Sequence, residues 1–250
     1  MTVMTRLSSR ASLLDVFQHI YVINLPVRRD RRRDMGRELS RIGIAPEDER
    51  VTFFPGVRPD DEAGFPTIGA RGCFLSHLDV LKDAHRHGFE RFLVAEDDLS
   101  FVKDFDNRVG EVVRVLRTRD DWDMFYGGYR TEFYLRDRGG MPLVPLPATA
   151  AVVTAHMLGL RGDVAAKLIS FLETVLSRPA GHPDGGPMHV DGAYSTFRAQ
   201  SPDIVTLAAV PALGFQRSSR SDISPEWYDR TPVLMAGVSL LRQLNNLSKH

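Results

Sequence analysis

Short unbroken apolar runs alternate along this chain with longer segments in which apolar residues recur every three or four positions. Ile20-Tyr21-Val22-Ile23, Phe92-Leu93-Val94-Ala95, Met124-Phe125-Tyr126, Ala151 to Leu160 and Val205 to Val210 are the runs. The first two, without polar alternation, predict strands buried on both faces, the kind found inside a sheet covered by helices, and the other three predict further strands. Between them, Met35, Leu39 and Ile42 predict one helix face, as do Phe74, Leu78 and Leu81, then Phe105, Val109, Val112, Val113 and Leu116. Val164, Leu168, Phe171 and Val175 mark a fourth, with Asp163 as its expected cap. A shorter helix is expected after His189-Val190-Asp191-Gly192, running to Arg198. This order predicts an α/β fold with a mostly parallel central sheet and helices on both faces. Three units are expected: a loose leader at 1–18, a single domain at 19–231, and a helical tail at 232–250 carrying Leu234, Val238, Leu241 and Leu244 on one face.

Two of the strands end in chemistry. Phe92-Leu93-Val94-Ala95 runs directly into Glu96-Asp97-Asp98, and in α/β sheets the crevice outside the carboxyl ends of the strands is the usual binding site. Hard divalent cations take carboxylate oxygens, often together with substrate phosphates, so one reading is a metal and diphosphate site. The other is a solvated acidic turn, and the acids alone do not separate the two. The first strand leads through Pro26 into Arg28-Arg29-Asp30-Arg31-Arg32-Arg33, and the guanidinium fork suits phosphate oxygens. A solvated helix face would look the same. Ser76 and His77 are expected near the start of the helix that delivers the chain to the acids. Ser177 to Pro187, with three prolines and three glycines, is expected to be a surface connection or a lid, and His189 and Asp191 follow it.

Composition excludes more than it selects. Lys plus Arg and Asp plus Glu number 32 each in 250 residues, so no global field recruits nucleic acid or an anionic membrane. One cysteine, Cys73, leaves no internal disulfide and fits a reducing, cytoplasmic setting. The N-terminal stretch has no secretory pattern and no segment approaches a membrane span, although the tail could meet a membrane surface peripherally.

Four pieces stand in a fixed order: Val22-Ile23-Asn24-Leu25 with Asp30-Arg31; Gly69, Gly72-Cys73 and Ser76-His77; Glu96-Asp97-Asp98; and Ser221-Asp222-Ile223. Together they resemble the family 25 glycosyltransferases, which include bacterial lipooligosaccharide galactosyltransferases and collagen galactosyltransferases. The resemblance runs from about residue 19 to 225. In its second half Met157 stands where the family usually has Tyr, and His156 beside it is atypical. The resemblance implies a GT-A-like domain and inverting transfer of a sugar, galactose or another hexose, from a UDP-linked donor to a hydroxyl of a glycan or lipid-linked glycan. Mn²⁺ or Mg²⁺ would assist, with Asp98 the leading ligand and Glu96 a second ligand or a ribose contact. Asn24, Leu25, Arg28, Arg31, Ser76, Glu96, Asp97, Gln216, Ser221 and Asp222 would bind the nucleotide sugar. Asp191 is the expected base, with His77 and then His189 as alternatives. The expected location is the cytoplasm, with peripheral contact at the inner membrane as an alternative. A metal-dependent nucleotide phosphohydrolase and a non-catalytic nucleotide-sugar binding module remain the competing readings.

Overall fold

The computed structural model describes residues 10–131 and 140–217. In chain order the elements are β1 (His19–Asn24), α1 (Arg29–Arg41), β2 (Val51–Pro55), α2 (Ile68–His87), β3 (Arg91–Glu96), β4 (Leu99–Phe101), α3 (Phe105–Thr118), β5 (Met124–Arg130), β6 (Leu143–Pro145), β7 (Val153–Arg161), α4 (Gly162–Ser177), α5 (Val190–Gln200), β8 (Thr206–Ala209) and β9 (Gly214–Gln216). Seven strands form one sheet in the order β2-β1-β3-β7-β5-β8-β6, and β4 pairs with β9 in a separate ribbon. Five of the seven run in one direction; β7, in the middle, and β6, at the edge, run against them.

The expected double burial is visible residue by residue in β3. Phe92 and Val94 point into a core with Phe74, Leu78 and Leu81 of α2, Leu168 and Leu172 of α4, and Tyr194 and Phe197 of α5. Leu93 and Ala95 point the other way, into a core with Met35 and Leu39 of α1 and Val109 and Val113 of α3. Successive side chains of a strand face opposite sides, so an apolar run needs a helix layer on each. At about 25 cal/mol per Å² of apolar surface, each such side chain contributes roughly 1.5–3 kcal/mol.

Several sequence expectations need correction. Residues 10–18 are not loose: a 3-10 turn at Leu13–Asp15, closed by a Ser12/Asp15 capping box, drives Leu13, Val16 and Phe17 into the second core. Asp163 does not cap α4; the cap position is Arg161, without a side-chain hydrogen bond, and Asp163 lies in the first turn. Phe171 is only partly buried and Leu172 takes the core position. The helix before the acids begins nine residues ahead of His77, where the Thr67 hydroxyl accepts from the Ala70 N–H. Ser76 and His77 therefore lie inside α2. Short strands β2, β4, β6 and β9 were not anticipated. The Ser177 to Pro187 stretch is an ordered connection in which Arg178 Nη1 donates to the Asp184 carbonyl at 2.6 Å. Among the described residues, no helix is long and apolar enough to cross a membrane. The tail at 232–250, with Ser221 and Asp222, lies outside the described residues.

Candidate active site

Parallel pairing of β1 with β3 brings Asn24 and the acidic turn to the same end of the sheet. Asn24 Nδ2 donates to Asp97 Oδ2 at 2.7 Å and to the Arg28 carbonyl at 3.2 Å, so its amide ties the two strand ends together. Asp97 also accepts from Arg31 Nη1 at 2.9 Å. Burial raises the Asp97 pKa, while the Arg31 charge and the Asn24 hydrogen bond oppose it. Both Asp97 carboxylate oxygens are thus engaged by β1 and α1, which makes Asp97 the knot of the turn.

Asp98 differs. Its Oδ2 accepts from Gln216 Nε2 at 3.2 Å and lies 3.5 Å from Arg31 Nη1, but its Oδ1 is buried without a hydrogen-bond partner. Burial, and after it the charge of Glu96, pushes the Asp98 pKa up to about 7. A buried carboxylate oxygen with no donor, beside further carboxylates, is what a divalent cation would neutralise, so the residues fit a hard metal ion at Asp98. Glu96 is partly supported already. His77 Nε2 stands 3.5 Å from Glu96 Oε1 and the Cys73 thiol 3.8 Å from the same oxygen. Burial works most strongly to raise the Glu96 pKa, but the His77 contact and the charges of His77, His156 and Arg31 together leave the net shift downward.

The turn floors a cavity of about 400 Å³ whose walls include Leu25, Arg28, Arg31, the Gly56 to Pro59 segment and Cys73. The Gly56 to Pro59 segment is held there by its backbone. Gly56 N–H donates to the Asn24 carbonyl and Val57 N–H to Ser76 Oγ, both at 2.8 Å. Ser76 in turn donates to the Gly72 carbonyl at 2.6 Å, so its hydroxyl serves the wall of the cavity. Gly72 is required by this approach: a Cβ there would lie 2.5 Å from the Val57 carbonyl oxygen. From the other side, Arg217 N–H donates to the Asp98 carbonyl at 2.8 Å and its guanidinium to the Asp97 carbonyl at 2.7 Å. This segment follows β9, whose pairing with β4 brings Gln216 opposite Leu99.

A second cavity, about 330 Å³, is lined by Thr154, His189, Asp191 and Gln216, and it shares Cys73 and Glu96 with the first. Asp191 lies in the first turn of α5. Its Oδ1 accepts from Gly192 N–H and its Oδ2 from Thr154 N–H, each at 2.8 Å. Thr154 has φ +72°, a left-handed conformation costly for a β-branched residue, and the Asp191 bond holds it. His77 lines neither cavity but stands behind Glu96: its side chain is 0% exposed, with Nδ1 3.0 Å from the Tyr194 hydroxyl. Met157 and His156, the departures from the family pattern, are both buried, and His156 Nδ1 lies 3.0 Å from Thr154 Oγ1.

Of the expected site residues, the structure brings Leu25, Arg28, Arg31, Ser76, Glu96, Asp97 and Asp98 to the first cavity, while Gln216, expected with them, lies in the second beside Asp191 and His189. Sequence reasoning missed Cys73, Tyr194 and Arg217. The four-residue spacing of Cys73 and His77 on a helix was a usable signal, since such pairs share a face. The other two carry no local signature.

No family model matches the chain. It is 32% identical over 126 residues to a glycosyltransferase 25 family member of Aedes aegypti, a match covering 44% of this chain and 21% of that protein. To procollagen galactosyltransferase 1-B of Xenopus laevis it is 30% identical over 172 residues, covering 58% and 27%. To a human protein named inactive glycosyltransferase 25 family member 3 it is 30% identical over 141 residues, covering 50% and 24%. The matched part is thus about a fifth to a quarter of each of these relatives. Over about half its length, the chain is similar to proteins named as family 25 glycosyltransferases and procollagen galactosyltransferases, the family its sequence motifs resemble.

Proposed function

We propose that the protein is a GT-A-type, inverting glycosyltransferase that moves a hexose, galactose first, from a UDP-linked donor to a hydroxyl of a glycan acceptor. The observation that carries this reading is the pair of adjoining cavities with Glu96 in the wall of both. One cavity offers guanidinium groups and an unsatisfied carboxylate oxygen suited to a nucleoside diphosphate and its cation. The other offers Asp191. Transfer between two bound molecules needs two compartments meeting at the reacting carbon.

In this arrangement Arg28 and the backbone of Gly56 to Pro59 border the diphosphate, and Arg31 balances Asp97 and Asp98. Asp98, with Glu96 next to it, would hold Mn²⁺ or Mg²⁺, which when bound would supply Lewis-acid neutralisation of the diphosphate. Asp191 takes the proton of the acceptor hydroxyl: both carboxylate oxygens accept one N–H, and each retains a second lone pair. His77 serves by holding Glu96, because a side chain with no exposure does not reach an acceptor.

A thermal-shift panel of nucleotide sugars with and without Mn²⁺ tests the first step. A ligand at 100 times its dissociation constant stabilises by about 2.7 kcal/mol. UDP-galactose with Mn²⁺ is expected to raise the melting temperature most. If no nucleoside diphosphate does so with metal present, the reading fails. Metal-dependent donor binding without transfer or donor hydrolysis favours the binding-module reading, which the relative named inactive keeps in play. Hydrolysis of nucleoside diphosphates without any transfer favours the phosphohydrolase.

A further inference from the structure

Where the two cavities meet, three different donor atoms converge. Cys73 and His77 are four residues apart on α2, so they share a face, and that face packs over the end of β3 at Glu96. Cys73 Sγ, His77 Nε2 and Glu96 Oε1 all lie within 4.8 Å of one another. Sulfur to carboxylate oxygen is 3.8 Å and imidazole nitrogen to the same oxygen 3.5 Å. A tetrahedral zinc with bonds of about 2.3 Å to sulfur and about 2.0–2.2 Å to nitrogen and oxygen requires separations of about 3.6 and about 3.4 Å. Both separations to the carboxylate oxygen therefore stand within a few tenths of an ångström of ligand geometry, and the sulfur-to-imidazole separation is under 4.8 Å.

An independent observation points the same way. His77 Nε2 is fully buried, and the long 3.5 Å contact to Glu96 Oε1 leaves it short of a hydrogen bond, while the Nδ1 side of the ring is fixed by the Tyr194 hydroxyl. A ligating histidine is ordinarily oriented through its other ring nitrogen in this way. Sulfur, imidazole and a single carboxylate form a borderline-soft donor set, suited to zinc-class ions and poorly suited to Mg²⁺ or Mn²⁺.

We propose that Cys73, His77 and Glu96 form a binding site for a zinc-class divalent cation, distinct from the hard-cation position at Asp98. Three protein ligands leave the fourth position open toward the cavities that Cys73 and Glu96 line. On binding, the Cys73 thiol loses its proton to solvent as the metal–sulfur bond forms, and the His77 tautomer with Nδ1–H donating to Tyr194 presents the Nε2 lone pair. Occupancy would engage the Glu96 oxygen at the junction of the two cavities.

Cobalt(II) titration of the full chain is the test, and it needs no nucleotide sugar, so its failure is separable from that of the proposed activity. Because Cys73 is the one cysteine in the sequence, any thiolate-to-cobalt charge-transfer band reports this site. One equivalent of Co²⁺ is expected to give that band with tetrahedral visible transitions, and Zn²⁺, not excess Mg²⁺, should abolish both. Cys73→Ser should remove the band and weaken Zn²⁺ binding at least ~10-fold, while Asp98→Asn should keep both. On the unmutated chain, Zn²⁺ should slow alkylation of Cys73 by a small reagent, which decides the matter if Cys73→Ser does not fold. Absence of the band, its loss in Asp98→Asn, or unchanged alkylation with Zn²⁺ overturns the assignment.

Discussion

Arg31 Nη1 lies 2.9 Å from Asp97 Oδ1, joining the first turn of α1 to the turn after β3 with both side chains largely buried. The same nitrogen stands 3.5 Å from Asp98 Oδ2, so a single guanidinium balances two desolvated carboxylates. Losing one partner of a buried pair strands the other charge, at roughly 3–5 kcal/mol. Arg31→Ala should therefore lower the melting temperature sharply and weaken UDP binding. Arg33 is exposed on α1, and Arg33→Ala should stay within about 0.5 kcal/mol with unchanged UDP affinity. Denaturant melts and calorimetry on both variants check the ranking; the reverse order would contradict the placement of α1 over the acids.

Asp98 predicts an unusual pH dependence for the metal-free protein. Its pKa is raised to about 7 by burial and by Glu96, so the folded state binds this proton more tightly than the unfolded chain does. Stability from this group is complete below the unfolded value near about 4 and falls as pH rises toward about 7, by a few kcal/mol at most. In a chelator, Asp98→Asn should melt higher than the parent at about pH 8 and gain nothing at about pH 4. With Mn²⁺ and substrates the order reverses in function, and turnover should fall at least ~100-fold. Equal pH profiles for the two proteins in chelator would remove Asp98 as the strained carboxylate.

Gly72→Ala tests the wall of the larger cavity. The added Cβ would sit 2.5 Å from a backbone oxygen of Val57, which cannot swing aside as a side-chain tip can. A loss of about 1–3 kcal/mol is expected, together with weaker nucleotide binding, because Val57 lines the cavity. Gly110→Ala is the control: inside α3, its Cβ would meet only Ala11 Cβ at 4.0 Å, so a gain of about 0.5–1 kcal/mol is expected. Melting both variants, with and without UDP, separates a tight backbone contact from a general dislike of substitution.

The sequence was most legible where burial is continuous. Phe92 to Ala95 sends alternate side chains into both cores, and the apolar spacing of α3 identified all five of its buried residues. What escaped was set by tertiary pairing. The β4 and β9 strands are three residues each and stable only against one another, so neither has a pattern of its own. Antiparallel β7 has the same apolar composition as its neighbours, because strand direction leaves no mark on a doubly buried run. In the site, residue types were informative and residue duties were not. Asn24 and Ser76 are polar residues at a strand end and a cavity wall, yet their hydrogen bonds go to Asp97 and to the Gly72 and Val57 backbone. The positive φ of Thr154 had no sequence signal at all, since a β-branched residue is the last choice for that conformation.

Thr154 also shapes the decisive experiment on Asp191. Because Asp191 accepts from both Gly192 N–H and Thr154 N–H, replacing it with Asn points an NH₂ group at one of two backbone donors. Asp191→Asn should thus cost about 1–3 kcal/mol of stability, whatever its chemical role. Thr154→Gly is the comparison: it keeps the N–H bonded to Asp191 and removes the cost of φ +72° but also the hydroxyl beside His156 Nδ1, so these offset and stability should stay near the parent's. If Asp191 is the base, Asp191→Asn at a temperature well below its melting point should retain donor affinity and lose ~10² to 10⁴ in turnover. Thr154→Gly should lose little. Normal transfer by folded Asp191→Asn, or an equal loss in both variants, would reduce Asp191 to a clamp on the backbone and pass the base to His189, which lines the same cavity.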